Sequence, residues 1–262
     1  MKAIVLAAGR GTRMRAAADH AALDDAQAAA ADAGLKAMIP FGRPFLDHVL
    51  HALADAGFDD IGLVLGPAHE QVRAYYRGLV TSRIRVSLFT QPEPRGTADA
   101  LLAGEAWLAD APFIVLNSDN LYPVDVLARL RGAAGPAVPG FERDSLGLSI
   151  ERLGAYALIE TAPDGCLARV REKPGAAAVE TAGPVALISA NVWRCDARIF
   201  DACRDVPVSA RGEKELPQAV DLAARRGVCF EVIRVRGAVL DLSRREDVAE
   251  VARRLDGARV DL

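Results

Sequence analysis

The sequence lacks several features that mark whole classes of protein. Its 262 residues carry 32 basic and 35 acidic side chains, a net charge of −3, and no basic cluster. It therefore has no cationic surface of the kind by which proteins attract nucleic acid. No apolar run approaches the roughly 20 residues of a membrane-spanning helix. The run at residues 2–8 is short and is followed at once by arginines, unlike a signal peptide. We therefore expect a soluble, cytoplasmic protein that binds neither nucleic acid nor membrane.

Cysteine and histidine are both scarce. The four cysteines, Cys166, Cys195, Cys203 and Cys229, show no C-x-x-C spacing, which disfavours a zinc site or a local redox pair. We expect free, mostly buried thiols, as is typical of a reducing cytoplasm. The four histidines fall into no Ser-His-Asp or Cys-His pattern, so chemistry that depends on a histidine base is not indicated.

Apolar runs alternate with stretches of helical spacing in the first half of the chain. Residues 2–8, 61–65, 84–89 and 113–116 predict strands, and residues 44–56, 68–80 and 97–108 predict helices. This alternation is typical of βαβ units, whose parallel sheet is covered by helices on both faces. The sequence therefore predicts an α/β fold.

The second half has a different pattern. Residues 155–160 and 166–171 flank a Pro-Asp-Gly turn and predict a hairpin, residues 184–192 and 228–235 predict strands, and residues 244–255 a final helix. We predict a single Rossmann-like three-layer domain, with a nucleotide-binding half at 1–135 and a smaller half at 136–262 sharing one mostly parallel mixed central sheet. The alanine-rich insert 16–34 stands apart, either as a helix or as a mobile flap over the site.

Glycines and arginines follow the first predicted strand, in the stretch Leu6-Ala7-Ala8-Gly9-Arg10-Gly11-Thr12-Arg13-Met14. Small residues let backbone N–H groups approach phosphate oxygens, and arginines add positive charge. The third glycine of a dinucleotide fingerprint is missing, and so is the Lys-Ser or Lys-Thr pair of a Walker loop. The alternative is a glycine turn needed only for packing.

Two further motifs follow predicted strands. In residues 91–100, the Gln91 amide can donate to and accept from a base edge, Gly96 permits close backbone approach, and Thr97 is placed to cap the following helix. Asp119 ends the strand at 113–116 and brings a carboxylate to the carboxyl edge of the sheet, where Mg²⁺ could bind. The alternative for Asp119 is capping of a helix opened by Pro123.

The order and spacing of these motifs resemble the sugar-phosphate nucleotidylyltransferases, a family of NTP transferases that join a nucleoside triphosphate to a sugar 1-phosphate. The resemblance covers nearly the whole chain and includes a lysine after the first motif, a Q-x-x-P-x-G-T-A stretch at 91–98, and an aspartate metal site. Later family signatures match Glu172-Lys173-Pro174, Asn191, residues 209–213 and Asp241. The chain departs from the family pattern at Leu35, at Ser118, around Asp241 and in the insert.

The resemblance implies a GT-A-like fold, a role for each matched residue, and transfer of a nucleoside monophosphate to a sugar or sugar-like 1-phosphate with release of pyrophosphate. Arg13 and Lys36 would be catalytic and act on the triphosphate. Asp119 and Asp241 would hold Mg²⁺. Glu172, Lys173, Asn191 and Arg211 would bind the sugar phosphate in the smaller half. The implied nucleotide-binding residues are Leu6, Ala7, Ala8, Gly9, Gly11, Thr12, Gln91, Gly96 and Thr97. We expect only the transferase module, without the C-terminal β-helix of some members.

Two other functions stay open at this stage. One is a nucleotide-binding regulatory homologue without turnover, suggested by the altered residues around Lys36, Asp119 and Asp241. The other is a dinucleotide-dependent oxidoreductase, disfavoured because Gly-Pro-Ala at 66–68 stands where an acidic residue would follow the second strand. Gln91 suits uracil or thymine, although residues 96–100 also resemble adenylyl- and guanylyl-transferring members. The base, the sugar or cyclitol, and the oligomeric state, including a homo-oligomer, stay open.

Overall fold

The structure, a computed structural model, describes residues 1–16 and 23–262. Its strands are β1 (Lys2–Ala7), β2 (Pro40–Phe41), β3 (Arg43–Pro44), β4 (Asp60–Leu65), β5 (Arg85–Thr90), β6 (Phe113–Asn117), β7 (Asn120–Leu121), β8 (Ala137–Glu142), β9 (Ala157–Thr161), β10 (Leu167–Glu172), β11 (Leu187–Ser189), β12 (Val192–Cys195), β13 (Glu231–Val235) and β14 (Leu240–Asp241).

Helices separate most of these strands. They are α1 (Thr12–Arg15), α2 (Asp25–Asp32), α3 (Phe45–Asp55), α4 (Glu70–Gly78), α5 (Thr97–Leu102), α6 (Glu105–Leu108), α7 (Val124–Gly132), α8 (Ile150–Leu153), α9 (Ala176–Thr181), α10 (Arg198–Asp205), α11 (Leu216–Arg225) and α12 (Asp247–Leu255). Two 3₁₀ turns, Lys36–Met38 and Arg143–Ser145, complete the set.

A ten-stranded sheet forms the centre of the molecule. Its order is β10-β9-β11-β8-β12-β6-β1-β4-β5, with β13 paired to β8. Strands β6, β1, β4 and β5 are parallel, whereas β12 joins β6 in the antiparallel direction and leads to the strands of the second half. Parallel strands buried on both faces need apolar residues at every position, which explains the continuous apolar runs of the first half.

Two apolar layers cover the faces of the sheet. One contains side chains of α3, α4, α7 and α12, with Phe45 and Leu50 fully buried. The other contains side chains of α5, α10 and α11, with Phe113 and Phe200 stacked at a centroid distance of 5.7 Å. This helix-sheet-helix arrangement confirms the predicted three-layer α/β fold.

Several predicted elements are divided or displaced. The helix predicted at 97–108 is two helices broken at Gly104, where an added Cβ would lie 2.3 Å from the Ile4 Cδ1 atom. The strand predicted at 184–192 is two strands separated by Asn191, whose φ of 60° cannot continue an extended chain. Strand β8 was not predicted, because Pro139 and Gly140 within it are typical of loops.

The described part of the insert is helical. Residues 17–22 of the insert lie outside the described residues, whereas α2 begins with a capping box in which the Asp24 carboxylate accepts from the Gln27 N–H at 2.7 Å. The Gln27 amide donates to the Pro40 carbonyl, and Asp32 pairs with Arg245. These contacts dock α2 on the domain, so the helical interpretation is confirmed for residues 25–32.

The prediction of four free thiols was wrong for one pair. Cys166 and Cys229 form a disulfide across a Cα–Cα distance of 5.3 Å, whereas Cys195 and Cys203 are buried and free. The bonded pair is 63 residues apart in sequence and meets because the Leu167 N–H donates to the Phe230 carbonyl. Sequence spacing cannot show such a pairing, and the cytoplasmic expectation, which rested partly on free thiols, stays a prediction.

No helix in the described part of the chain is both long enough and apolar enough to cross a lipid bilayer.

Candidate active site

A cavity of about 610 Å³ opens at the carboxyl edge of the parallel strands. This is the edge at which open α/β sheets bind ligands. The structure brings all but one of the predicted site residues to its wall. They are Leu6, Ala7, Ala8, Gly9, Thr12, Arg13, Lys36, Gln91, Gly96, Thr97, Asp119, Glu172, Lys173, Asn191, Arg211 and Asp241.

Gly11 is the exception. It precedes α1 with a left-handed φ of 63°, and a Cβ atom on it would lie 2.1 Å from the Gly34 carbonyl oxygen. Only glycine allows this approach of the signature loop, residues 8–11, to the end of the insert. Gly11 therefore serves the packing of the loop, as the alternative interpretation of the glycine motif holds. Arg13, in the following turn, is exposed and lines the cavity.

Lys36 and Asp119 form an ion pair inside the cavity. Their Nζ and Oδ2 atoms are 2.7 Å apart, and each side chain is 21% exposed. Lys36 starts the 3₁₀ turn after the insert, and Asp119 follows β6, held beside β1 by a bond from the Ser118 N–H to the Leu6 carbonyl. The capping interpretation of Asp119 is wrong, since α7 begins at Val124 with Pro123 as its N-cap.

Asp241 lies beside Asp119. Strand β14 pairs with β7, and the Leu242 N–H donates to the Asp119 carbonyl at 2.8 Å. The Asp241 carboxylate accepts from the Tyr156 hydroxyl at 2.6 Å and the Ser243 hydroxyl at 2.5 Å. Burial, reinforced by the negative charge of Asp119, raises the pKa of Asp241. Two carboxylates that repel one another in this way are stabilised by a cation between them.

These two aspartates suit a hard divalent cation. Carboxylate oxygens are the ligands that Mg²⁺ prefers, and Mg²⁺ commonly takes one or two of them together with phosphate oxygens and waters. Within residues 1–16 and 23–262, no group of three or more Asp, Glu, His or Cys side chains forms a complete metal site. A metal held by Asp119 and Asp241 would therefore need further ligands from water or from a substrate.

Gln91 is locked in a single orientation. It is 3% exposed, and its Nε2 atom donates to the Gly96 carbonyl at 3.0 Å and to the Asp99 carboxylate at 2.8 Å. Both partners are acceptors, so the amide nitrogen, and not the oxygen, must face them. The Oε1 atom is thereby left as the part of the amide that can serve a base, as an acceptor only.

Two loops are hydrogen-bonded to each other. They are the base loop, residues 91–97, which contains Gln91, and the acceptor loop, residues 209–216, which contains Arg211. The Lys214 N–H donates to the Arg95 carbonyl at 2.7 Å, and its carbonyl accepts from the Ala98 N–H at 2.9 Å. The Thr97 hydroxyl accepts from the Leu216 N–H at 2.8 Å. Thr97 therefore caps α11, and the expectation that it caps its own helix was wrong.

Another part of the cavity lining combines cations with carboxylates. Lys173 lies 3.6 Å from Glu172, and Arg211 contacts Glu215 at 3.1 Å and Glu213 at 3.3 Å. Burial raises the pKa of Glu172, with the nearby Glu215 charge acting in the same direction. Each cation is paired with a glutamate, so an arriving anion would have to share that cation or displace the glutamate.

The cavity residues that the sequence did not assign to the site include Arg152, Tyr156, Trp193 and Glu215. Tyr156 and Arg152 contact Asp241 across more than 80 residues of sequence, so no local pattern marks them. Trp193 is fully buried, and its indole N–H has no acceptor among the described residues. Glu215 lies two positions after the matched signature at 209–213 and could have been found by extending that match.

Comparison with known proteins assigns the family. Residues 3–179 match the family described as MobA-like NTP transferase domain. Because that match spans more than half of the chain, the protein belongs to this family of NTP transferases.

Curated relatives are similar over nearly the whole chain. UTP–glucose-1-phosphate uridylyltransferase AglF of Haloferax volcanii is 29% identical over 259 residues, covering 97% of this chain and 96% of the relative. The bifunctional protein GlmU of Maricaulis maris is 34% identical over 258 residues, covering 95% of this chain and 51% of its own length. Glucose-1-phosphate thymidylyltransferase of Streptomyces antibioticus is 27% identical over 256 residues, covering 97% and 65%.

A solved structure supports the same fold. UDP-glucose pyrophosphorylase complexed with UDP-glucose superposes with a TM-score of 0.76 at 19% identity, covering 98% of this chain and 99% of that one. The chain spans about half the length of the GlmU relative. The resemblance to sugar-phosphate nucleotidylyltransferases that the motifs indicated is confirmed by these relatives.

Proposed function

We propose that the protein transfers a uridylyl or thymidylyl group from its nucleoside triphosphate to glucose 1-phosphate or a related sugar 1-phosphate, with release of pyrophosphate and formation of an NDP-sugar. The observation behind this proposal is the position of Asp119 and Asp241, side by side in one cavity. The base loop borders the same cavity, as do the cations Lys173 and Arg211.

The orientation of Gln91 is compatible with uracil or thymine. Its free Oε1 accepts a hydrogen bond and cannot donate one. Uracil and thymine present a ring N–H to such an acceptor, but adenine and cytosine present an exocyclic amino group, so this acceptor alone does not select the base. Guanine shares the ring N–H, and the choice of uracil or thymine rests on the uridylyl- and thymidylyl-transferring relatives.

Mg²⁺ is the proposed cofactor, and Asp119 and Asp241 are its proposed ligands. When bound, it would act as a Lewis acid on the triphosphate and orient it. Arg13 and Lys36 are assigned to the triphosphate and to the charge that develops on the leaving pyrophosphate. Lys36 must leave Asp119 to do so, because its ammonium group is paired with that carboxylate.

The acceptor needs no general base. A sugar 1-phosphate is anionic at neutral pH, so its oxygen can attack the α-phosphorus directly. The protein must therefore bring two anions together and neutralise them. We assign the acceptor phosphate to Lys173 and Arg211, and the sugar hydroxyls to Glu172 and Asn191. On this proposal residues 1–135 are the nucleotide-binding half and residues 136–262 the sugar-phosphate-binding half.

The test is pyrophosphate release from each of the common NTPs against a panel of sugar 1-phosphates, with Mg²⁺ and with EDTA. We expect turnover with UTP or dTTP and glucose 1-phosphate, and loss of turnover in EDTA. Turnover with ATP alone would refute the proposed uridylyl or thymidylyl transfer. Tight NTP binding without pyrophosphate release from any pair would favour a regulatory homologue, and full activity in EDTA would refute the metal.

A further inference from the structure

Arg152 is a cation on the cavity wall to which neither the sequence motifs nor the family resemblance assigned a role. It belongs to the short helix α8 and is 38% exposed. Its NH1 atom lies 2.8 Å from Asp247, and its NH2 atom lies 3.4 Å from Asp241. It therefore adjoins one of the proposed metal ligands.

The Asp247 carboxylate holds the Arg152 guanidinium in place. Asp247 is 5% exposed, and its Oδ2 atom accepts from the backbone N–H groups of Ser243 and Arg244 at 2.9 and 2.8 Å. Its other oxygen, Oδ1, faces Arg152. A buried carboxylate with every oxygen engaged holds one side of the guanidinium in place, so that Arg152 is not a freely moving surface side chain.

The contact with Asp241 is the weaker one. At 3.4 Å it is near the limit of a hydrogen bond, and the same Asp241 oxygen already accepts from Tyr156 at 2.6 Å. A guanidinium has five N–H donors, and the described residues offer Arg152 no acceptor besides these two carboxylates. Arg152 therefore retains donors for a ligand in the cavity that it lines.

Neighbouring contacts identify where that ligand lies. The Tyr156 hydroxyl bonds Asp241, and its carbonyl accepts from the Lys173 N–H at 2.8 Å. Tyr156 thus links Asp241 to the backbone of Lys173, and Arg152, four residues earlier in the chain, lies against the same carboxylate. Arg152, Lys173 and Asp241 all line the same cavity, so a group that contacts both cations would lie in that cavity, near the proposed metal ligand.

We propose that Arg152 is a further catalytic residue, a third cation that binds the phosphate of the acceptor sugar 1-phosphate beside Lys173 and Arg211 and presents it to the metal-bound nucleotide. This inference rests on the proposed function. Its physical reason is that an anionic acceptor must approach an anionic α-phosphate, and that a planar guanidinium can hold two phosphate oxygens at once. Asp247 acts as a positioning residue, through Arg152.

The test is steady-state kinetics of Arg152→Met and Arg152→Lys, varying each substrate in turn with the sugar 1-phosphate that supports turnover. We expect the KM for the sugar 1-phosphate to rise about ten- to hundredfold in Arg152→Met, as for the loss of one charged hydrogen-bonding contact. The KM for the NTP should stay within about twofold of wild type, since loss of a non-contacting residue leaves binding almost unchanged. The KM of Arg152→Lys should lie between those of wild type and Arg152→Met, because lysine restores the positive charge but cannot bind two phosphate oxygens with one planar group.

Arg143→Met is the matched control. Arg143 is a partly buried arginine that pairs with Asp144 in the 3₁₀ turn before α8, and it is not among the residues lining the cavity. Its KM values should equal those of wild type. Asp247→Asn should raise the sugar 1-phosphate KM in the same sense as Arg152→Met, but less, because the guanidinium remains.

An unchanged KM for the sugar 1-phosphate in Arg152→Met would overturn this inference, as would equal increases for both substrates. If Arg152→Met does not fold, Arg152→Lys and Arg152→Gln decide by the same comparison of the two KM values. The proposed function fails separately, when the wild-type protein itself releases no pyrophosphate with any NTP and sugar 1-phosphate.

Discussion

Replacement of Lys36 by methionine tests whether the lysine competes with a metal for Asp119. At the observed 2.7 Å, Coulomb's law with an effective dielectric constant of about 20 gives an attraction of about 6 kcal/mol. Each side chain is only 21% exposed, so the cost of dehydrating both ions offsets most of it. We take about 1–2 kcal/mol as the net value, which corresponds to about a five- to thirtyfold effect on binding.

A cation that binds Asp119 must displace the Lys36 ammonium group, so Lys36→Met should bind metal more tightly by about that factor. Mn²⁺, titrated into the nucleotide-free protein and followed by the electron paramagnetic resonance signal of the free ion, measures this affinity. Turnover should fall about 10²–10³-fold in the same variant, as expected when one preorganised donor to the transition state is removed.

The double variant Lys36→Met with Asp119→Asn is the control, and it should lose the gain in Mn²⁺ affinity. The gain should also shrink when a non-hydrolysable NTP analogue is present, because the triphosphate then holds the lysine in the wild-type protein. Unchanged or weaker Mn²⁺ binding by Lys36→Met would refute the reasoning that the lysine occupies the place of the metal.

Three further predictions concern stability. Thr97→Val should lower the free energy of unfolding by about 0.5–2 kcal/mol in urea, because the Leu216 N–H loses its cap. Cys166→Ser should lower it by about 2–4 kcal/mol in denaturant, since the bond to Cys229 closes a long loop, with kcat unchanged because neither cysteine is among the cavity residues. Glu172→Gln should be more stable than wild type at pH 8. Burial raises the pKa of Glu172 in the folded protein, so the wild-type protein loses stability as pH rises from the unfolded pKa of Glu172 to its folded pKa. The stability advantage of Glu172→Gln should therefore vanish below the unfolded pKa of about 4.3, where the carboxyl group is neutral in both states.

Each stability prediction would be contradicted by a specific result. Thr97→Ser should retain wild-type stability, and a valine variant as stable as the serine variant would show that the hydroxyl does not cap α11. A wild-type protein whose unfolding is the same with and without a thiol reductant would contradict the disulfide prediction. Equal stability of Glu172→Gln and wild type across pH 4–8 would contradict the raised pKa.

Most of the layered fold was predictable from local patterns. Continuous apolar runs mark β1, β4 and β6, and the residues that follow such strands meet at one edge of the sheet, which is why the sequence alone could place Asp119 at that edge. Strand β8 was not predictable, because Pro139 and Gly140 oppose a strand locally and its pairing with β11, β12 and β13 stabilises it.

The missed parts of the site depend on contacts between distant segments. Arg152 precedes Asp241 by 89 positions, and Cys166 precedes Cys229 by 63. No periodicity connects such residues, since the packing of the whole chain brings them together. The family resemblance located Asp241 but could not show the hydroxyl and guanidinium groups around it, because those come from outside the matched signatures.

The hydrogen-bonded junction of the base loop and the acceptor loop has a consequence for how substrates are taken up. The Lys214 backbone bridges Arg95 and Ala98, and Arg211 lies three residues before it. A nucleotide that orders the base loop also restricts the acceptor loop, so a sugar phosphate that binds there loses less conformational entropy. Because such coupling is reciprocal, the sugar phosphate raises the affinity for the nucleotide by the same factor. We therefore expect each substrate to bind more tightly when the other is already bound.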